Sequence, residues 1–308
     1  MKTKLKSFVR SVLALSSAVT LLTSINISAQ NLFEADAGNM QGVVGHIYEF
    51  TPSGVQSTFA SGLDGPDNLA FNSAGNLFES DFYSGNVYEF TPSGIQTTFA
   101  SGLSSPQGLA FNSTGDLFEA DGTGNIYEFT PTGTRSTFAS GLSNPHALAF
   151  DNLGNLFVAN EASGIITKIT SAGIQTTFAS GLSYPEGLAF DSEGNLFEGD
   201  NGSDNIYEFT PSGVKRLFTS GLFGPTALAF NNTGDLFEAD VYSGNIIEFT
   251  PSGAESIFAS GLNFPEGLAF QNETLPIPEP STLGFFFIGS AMFLIYQYCY
   301  RNTPTLKQ

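Results

Sequence analysis

The sequence predicts an all-β protein folded as a six-bladed β-propeller, with four antiparallel strands in each blade. Three observations predict this fold. Short apolar and aromatic runs are separated by Gly, Pro, Asn and Ser, four such runs make one unit, and the unit recurs every 39 or 40 residues. The Phe that ends the Leu-Ala-Phe block marks the period, at Phe71, Phe111, Phe150, Phe190, Phe230 and Phe270.

The unit is clearest between Pro185 and Leu222. Its four predicted strands are Pro-Glu-Gly-Leu-Ala-Phe, Leu-Phe-Glu-Gly-Asp, Asn-Ile-Tyr-Glu-Phe and Leu-Phe-Thr-Ser, each bounded by turn residues. The unit has no 3.6-residue periodicity, which excludes a helical solenoid.

The repeats begin at Leu32 with the second strand of a unit and end at Phe270 with a first strand. We therefore expect the last strand to complete the blade that the first strand opens. Pairing of the two ends would close residues 30–271 into a ring without an open sheet edge.

Residues 1–29 are expected to be a secretory signal peptide. Four basic residues precede an apolar stretch from Val12 to Leu22, and Ala29 suits cleavage. A membrane span is the alternative, but the apolar stretch is short for one.

The repeats stop after residue 271, and the rest of the chain has a different composition. Residues 272–281 form a linker that contains Pro278, Glu279 and Pro280. Residues 282–301 are apolar and end at Arg301, which predicts one transmembrane helix with a basic stop, and residues 302–308 form a polar tail.

The tripeptide, the apolar helix and Arg301, in this order at the C-terminus, resemble the PEP-CTERM sorting signal. The resemblance implies export in a Gram-negative bacterium, with signal peptidase and an exosortase as processing partners. It also implies that the protein is anchored in the cell envelope or released outside it. A single Arg followed by a polar tail departs from the terminal basic cluster of that signal.

The net charge of the repeats limits which kinds of ligand the protein can bind. The chain of 308 residues has a net charge of −19, but residues 30–271 hold 27 acidic and four basic residues, a net charge of −23. Such a surface repels nucleic acid and attracts cations, basic peptides or neutral polar ligands. The single cysteine, Cys299, lies outside the repeats and excludes a disulfide framework.

The repeated pattern Pro-x-Gly-Leu-Ala-Phe, Gly-Asn-Leu-Phe-x-Ala-Asp and Gly-Asn-Ile-Tyr resembles two related groups across residues 31–271. These are the NHL-repeat proteins and the senescence-marker-protein/gluconolactonase group, both built on propellers. The resemblance implies the architecture. It leaves the function open, because such propellers include sugar lactonases, lyases and protein-binding modules.

The first strand of every unit begins with a Pro, called the leading Pro, and the residue after it varies between the six copies. If this strand is the innermost, as in the resembled families, six polar side chains surround the mouth of the central channel: Asp67, Gln107, His146, Glu186, Thr226 and Glu266. Oxygen ligands with one nitrogen suit a divalent cation, and calcium is favoured. The alternative is that a narrow channel needs polar residues wherever it meets water.

The gluconolactonase resemblance implies metal ligands at this place. Glu186, Glu266 and Asp67 match the acidic positions of those enzymes, and His146 or Gln107 stands where those enzymes carry Asn. Gln107 and Thr226 are otherwise predicted only to line the channel mouth.

Acidic residues recur in two strands of the unit. The second strand carries Glu34, Glu79, Glu119, Glu198 and Glu238, and the third carries Glu49, Glu89, Glu128, Glu208 and Glu248. We expect a solvated face with like charges opposed across neighbouring strands, or else weak binding of several cations. The fourth blade has Val158 and Lys168 instead, and the Asp or Asn that ends each second strand is expected to be a turn residue.

Two functions follow. The first is a non-enzymatic binding module for a carbohydrate, matrix component or protein, and the sameness of the blades favours it. The second is a divalent-metal-dependent hydrolase of sugar lactones or esters. The sequence contains no nucleophile elbow, no phosphate-binding Gly-Lys-Ser/Thr loop and no Cys/His cluster.

Overall fold

A computed structural model describes residues 29–38 and 44–271, which form 24 β-strands. In chain order the strands are β1 (Leu32–Asp36), β2 (Gly45–Phe50), β3 (Gln56–Leu63), β4 (Pro66–Phe71), β5 (Leu77–Asp81), β6 (Asn86–Phe90), β7 (Gln96–Ser101), β8 (Pro106–Phe111), β9 (Leu117–Asp121), β10 (Asn125–Phe129), β11 (Arg135–Ala139), β12 (Pro145–Phe150), β13 (Leu156–Asn160), β14 (Ile165–Ile169), β15 (Gln175–Ser180), β16 (Pro185–Phe190), β17 (Leu196–Asp200), β18 (Asn205–Phe209), β19 (Lys215–Ser220), β20 (Pro225–Phe230), β21 (Leu236–Asp240), β22 (Asn245–Phe249), β23 (Glu255–Ser260) and β24 (Pro265–Phe270). Short 3₁₀ turns at Glu161–Ser163 and Asn201–Ser203 follow β13 and β17.

These strands assemble into six antiparallel sheets of four, which are the blades of a propeller. Blade 1 has the order β24-β1-β2-β3, and blades 2 to 6 are β4–β7, β8–β11, β12–β15, β16–β19 and β20–β23. The first strand of each blade, called the inner strand, contacts the inner strands of both neighbouring blades, so these strands form a closed ring. The predicted six-bladed propeller is confirmed.

Blade 1 closes the ring with strands from both ends of the domain. In the antiparallel pairing of β1 with β24, Leu32 lies opposite Phe270 and Glu34 lies opposite Leu268. Beyond the strands, the backbone N–H of Gln271 donates to the carbonyl of Asn31 at 3.0 Å. The predicted pairing of the first and last strands is therefore confirmed.

Phenylalanine clusters join neighbouring blades. The Phe of each second strand lies edge-on to one Phe in its own fourth strand and another in the inner strand of the next blade. In blade 6, the ring centroid of Phe237 is 5.1 Å from that of Phe258 and 5.0 Å from that of Phe270, which belongs to blade 1. A single blade cannot cover these rings, so the stability of each blade depends on its neighbours.

The Asp at the end of the second strand ties two loops together. In blade 2, Asp81 Oδ2 accepts the backbone N–H of Asp64 at 2.8 Å, and Asp81 Oδ1 accepts that of Ser84 at 3.2 Å. Asp36 makes the same two bonds across the junction of the chain ends, from Asn263 at 2.8 Å and Gly38 at 3.1 Å. The interpretation of this Asp as a structural turn residue is confirmed.

The expected opposition of like charges between strands is wrong. In blade 1, Glu34 lies opposite Tyr48, whereas Glu49 lies opposite Phe33. Because side chains alternate between the two faces of a sheet, this register places the two glutamates on opposite faces.

The expected solvation of the second-strand glutamates is also wrong. These five residues are completely buried, with 0% of each exposed, and both carboxylate oxygens of each have no hydrogen-bond partner among the described residues: Glu34, Glu79, Glu119, Glu198 and Glu238. In blade 4 the equivalent Val158 belongs to a buried hydrophobic cluster that includes Phe118 and Ile126 of blade 3, which places this position between blades. A second strand is covered on both faces, so its polar side chains have no access to water.

Burial raises the pKa of each of these five glutamates well above its usual value. The charge of the Asp two residues later, such as Asp121 beside Glu119, raises it further. The neutral, protonated form is therefore favoured in the folded state.

The inner strands approach one another too closely for side chains at some positions. A Cβ on Gly267 would lie 2.6 Å from the carbonyl oxygen of Asp67 and 2.9 Å from Asn68 Cα. One on Gly187 would lie 2.9 Å from the carbonyl oxygen of Thr226. The channel wall is therefore built from backbone contacts.

We expect Gly267→Ala to lower the free energy of unfolding by about 1–3 kcal/mol, because the methyl group must displace backbone atoms. Gly187→Ala is the matched control and should cost less, since its closest contact is longer. Urea denaturation of both variants tests this order, and equal or absent losses would contradict the close approach.

Several predicted segments lie outside the described residues. They are the signal peptide (1–29, described only at residue 29), the linker with Pro278, Glu279 and Pro280, the transmembrane helix that ends at Arg301, and the polar tail. Within residues 29–38 and 44–271 there is no helix with the length and hydropathy of a membrane span.

Candidate functional site

A β-bulge at the start of every inner strand sets one polar side chain apart from the ladder. In blade 5, Pro185 pairs with Asp200 and Gly187 pairs with Gly199, which leaves Glu186 between them unpaired. The same break in pairing occurs at Asp67, Thr226 and Glu266. In blades 3 and 4 the unpaired stretch has two residues, and it begins with Gln107 and His146. A bulge redirects the side chain of its extra residue, so the six predicted mouth residues share one structural origin.

Four of these residues converge although they come from four blades. The charges of Asp67 in blade 2 and Glu186 in blade 5 both act on His146 in blade 4, and both also act on Glu266 in blade 1. His146 Nδ1 lies 3.2 Å from the carbonyl oxygen of Glu186. The structure thus brings Asp67, His146, Glu186 and Glu266 into one electrostatic group.

The ionisation of this group is shifted by burial and by its own charges. Burial raises the pKa of Glu186 to about 7, although the charge of His146 and a 2.9 Å hydrogen bond from Asn201 lower it. Burial also raises the pKa of Glu266 well above its usual value, and the charges of Asp67 and Glu186 add to this.

The pKa of His146 is raised by its neighbours and not by burial. Burial alone would lower its pKa, but the negative charges of Asp67, Glu186 and Glu161 outweigh burial and raise the pKa. A positive imidazole is therefore stabilised by the acids that surround it.

Two buried acceptors at the mouth lack donors. Asp67 Oδ1 and Gln107 Oε1 have no hydrogen-bond partner within the described part of the chain. Thr226 differs, because its hydroxyl lies 3.1 Å from the carbonyl oxygen of Ala239 and 3.0 Å from that of Pro265. Thr226 therefore bonds to the strands around it, whereas Asp67 and Gln107 retain capacity for a ligand.

Among the described residues, no group of three or more His, Cys, Asp or Glu side chains is arranged to hold a metal ion. The predicted calcium ligands Glu186, Glu266, Asp67 and His146 share one region and one electric field. Their role as metal ligands stays a prediction.

The structure also reveals an exposed group at the mouth that the sequence analysis missed. The loops beside the channel carry five aromatic side chains that are 40–60% exposed, and we call them the aromatic rim: Tyr83, Tyr184, Phe223, Tyr242 and Phe264. The residues just before the leading Pro and just after the second-strand Asp vary between copies, and this variation was the available signal.

No family model matches the chain, and a search of curated proteins finds no relative. Solved structures do match. The structure of a nidogen/laminin complex contains a chain that is 20% identical, with a TM-score of 0.71, over 79% of this chain and 98% of that chain. A virginiamycin B lyase from Staphylococcus aureus is 17% identical, with a TM-score of 0.60, over 78% of this chain and 92% of its own. A putative gluconolactonase is 16% identical, with a TM-score of 0.62, over 70% of this chain and 88% of its own. At these identities the likeness establishes the propeller fold, which binding proteins and lyase or lactonase enzymes share.

Proposed function

We propose that the protein is an exported, non-enzymatic binding module that takes its ligand at the mouth of the channel. Signal peptidase and an exosortase would process it, and it would remain at the envelope of a Gram-negative bacterium or enter the extracellular matrix. Its ligand would be a carbohydrate or a protein. The terminal sequence patterns support the sorting route, and the net charge of −23 over residues 30–271 argues against nucleic acid.

The buried acceptors at the mouth are the observation that carries the proposal. Asp67 Oδ1 and Gln107 Oε1 lack donors among the described residues, and two further acids, Glu186 and Glu266, lie in the same electrostatic group. Leaving buried acceptors unpaired costs about 1–3 kcal/mol each, so a ligand that donates hydrogen bonds would be favoured there.

A metal-dependent lactonase or esterase is the second candidate. A carboxyl with a pKa of about 7 is suited to proton transfer near neutral pH, and Glu186 has this property. A divalent cation, calcium in the first instance, would have Glu186, Glu266, Asp67 and His146 as its nearest side-chain ligands.

An assay for hydrolysis distinguishes the binding module from the lactonase or esterase. We expect the purified full chain to hydrolyse none of a panel of sugar lactones and aryl esters above the buffer rate, with Ca²⁺, Mg²⁺, Mn²⁺ or Zn²⁺ present. The physical reason is that the described part of the chain does not arrange three His, Cys, Asp or Glu side chains in a way that could hold the cation. Turnover that Glu186→Gln abolishes would overturn the proposal in favour of the enzyme.

Thermal melting separates a bound cation from a general charge effect. An ion that binds only the folded state raises the melting temperature, and a chelator reverses the rise. If calcium produces a reversible rise that Glu186→Gln removes and Glu193→Gln keeps, the metal site is supported. Glu193 is exposed and lies in the loop after β16, at the other end of the inner strand, so it serves as the matched control.

A further inference from the structure

The aromatic rim occupies one continuous part of the mouth. Phe264 lies in blade 1, Tyr83 in blade 2, Tyr184 in blade 5, and Phe223 and Tyr242 in blade 6. These four blades are consecutive around the ring. Blades 3 and 4 have Ser105, Thr123, Asn144 and Glu161 in the corresponding loops.

Three loop positions supply these rings. Phe223 lies two residues before the leading Pro, and the other four rings come from two positions that replace each other between blades. In blades 2 and 6 the residue before the leading Pro is Gly, and the ring comes from the loop after the second strand. A Cβ on Gly65 would lie 2.6 Å from the ring of Tyr83, and one on Gly224 would lie 2.5 Å from that of Tyr242. In blade 5 the roles are reversed, since Tyr184 precedes the Pro and Gly202 faces it, with a built Cβ 2.8 Å from the ring.

The residue before the leading Pro lies in the left-handed backbone region in all six blades: Gly65, Ser105, Asn144, Tyr184, Gly224 and Phe264. Tyr184 and Phe264 adopt the left-handed region, with φ of 56° and 62°, at the place where blades 2 and 6 use Gly. Bulky residues rarely adopt this conformation. Because Gly, Ser or Asn satisfies the fold at this position in the other four blades, the bulky rings of Tyr184 and Phe264 indicate a use for exposed aromatic side chains at the mouth.

Three acids of the mouth lie in three of the four blades that carry rings, and a fourth acid, Glu161, lies in blade 4. Glu266, Asp67 and Glu186 belong to blades 1, 2 and 5, whereas blades 3 and 4 contribute the amide of Gln107 and the imidazole of His146. The charges of Glu186 and Glu266 also help to raise the pKa of Tyr242, after burial, which places that ring within their field. Rings and carboxylates together form a site that favours a positive charge.

We propose that the mouth binds a lysine or arginine side chain of a basic protein segment, with the aromatic rim over the cation and Asp67, Glu186 and Glu266 beneath it. This inference rests on the proposed binding function and names the ligand class. The negative charge of the repeats attracts such a segment, and the acceptors without donors, Asp67 Oδ1 and Gln107 Oε1, receive its N–H groups.

Fluorescence anisotropy of the full chain with labelled short peptides tests the proposal. The peptides contain lysine, arginine, Nε-acetyl-lysine or glutamate in the same glycine background. We expect the lysine and arginine peptides to bind, and acetylation, which removes the charge but keeps the shape, to weaken binding at least tenfold. Affinity should fall between about 20 mM and about 150 mM salt.

Variants distinguish binding at the mouth from non-specific attraction of basic peptides to an acidic surface. Tyr184→Leu and Tyr242→Leu keep apolar volume and should each weaken binding of the lysine peptide about two- to fivefold. Glu266→Gln should weaken it about tenfold, because a bound cation favours the ionised carboxyl and Gln cannot ionise. Ser105→Ala, in the part of the mouth without rings, is the control and should leave the affinity unchanged, and circular dichroism melts check the fold of every variant.

Three outcomes would overturn the inference. The first is binding of basic peptides that the rim variants leave unchanged, which would show attraction to the surface alone. The second is binding of a glucosamine hexamer or its N-acetylated form, with loss in Glu266→Gln, while basic peptides fail to bind. That outcome retains the binding function and replaces the ligand class. The third is the absence of binding by every peptide and sugar probe.

Discussion

The protein is expected to lose stability as the pH rises above the ordinary pKa of glutamate, the reverse of a protein stabilised by ionised carboxylates. The five buried second-strand glutamates cause this, since burial raises their pKa well above the usual value of a glutamate. A raised pKa contributes stability that is complete below the pKa of the unfolded chain and is lost as the pH rises through the pKa of the folded state. Melting temperatures at increasing pH measure the effect.

Other titratable groups also change the stability with pH, some in the same direction and some in the opposite one. The raised pKa values of Glu186, Glu266 and His146 add to the loss at high pH, whereas the lowered pKa of Asp151 adds stability above its own unfolded value. Arg135 and Lys215 partly offset the shifts at Glu119 and Glu198. Since the five buried carboxyls outnumber these groups, a net fall with pH is expected.

Blade 4 provides the natural control for this prediction. Glu119→Val copies Val158 into blade 3 and should raise the free energy of unfolding by about 1–3 kcal/mol at pH near 8, because it removes an unpaired buried carboxyl. The opposite change, Val158→Glu, should destabilise the protein more at that pH than near pH 5. Replacing all five glutamates by Gln should flatten the pH dependence, and an unchanged slope in this variant would refute the assignment.

Phe237→Ala is expected to lower the free energy of unfolding by about 3–5 kcal/mol. Phe237 is 4% exposed and lies edge-on to both Phe258 and Phe270. The substitution leaves a cavity between blade 6 and blade 1. Urea denaturation measures the loss.

The control for Phe237→Ala lies in the same blade. Ile257 is 64% exposed, so Ile257→Ala should change stability by no more than about 0.5 kcal/mol. A loss below about 1 kcal/mol for Phe237→Ala would show that the contact between blades 6 and 1 contributes little to stability.

The repeat gave a reliable prediction of the architecture because it is redundant. Six copies of each block report the same strand, so one ambiguous block such as that around Val158 does not alter the assignment. The mouth residues were also predictable by position, since they follow the leading Pro in every copy. Their convergence depends on the bulge at residues such as Glu186, which the sequence pattern does not display.

The face on which a strand residue lies was not predictable. The alternation in Leu-Phe-Glu-Ala-Asp resembles a half-exposed strand, and this suggested that Glu34 and its equivalents meet water. In a propeller the neighbouring blade covers the second face as well, so all five residues of β1 are buried. The aromatic rim was missed for a related reason, because Tyr184 and Tyr242 come from different loop positions and become equivalent only in space.

The sequence by itself determined the number of blades, the four strands of each and the closure of the ring through β1 and β24, because these follow from the count and order of local blocks. Only the tertiary structure decided that the second-strand glutamates are buried, that Asp67, His146, Glu186 and Glu266 share one electric field, and that three of these acids lie in blades that also carry rings. Burial and electrostatic interaction depend on what lies beside a residue in space, and in a ring of stacked blades those neighbours come from other repeats.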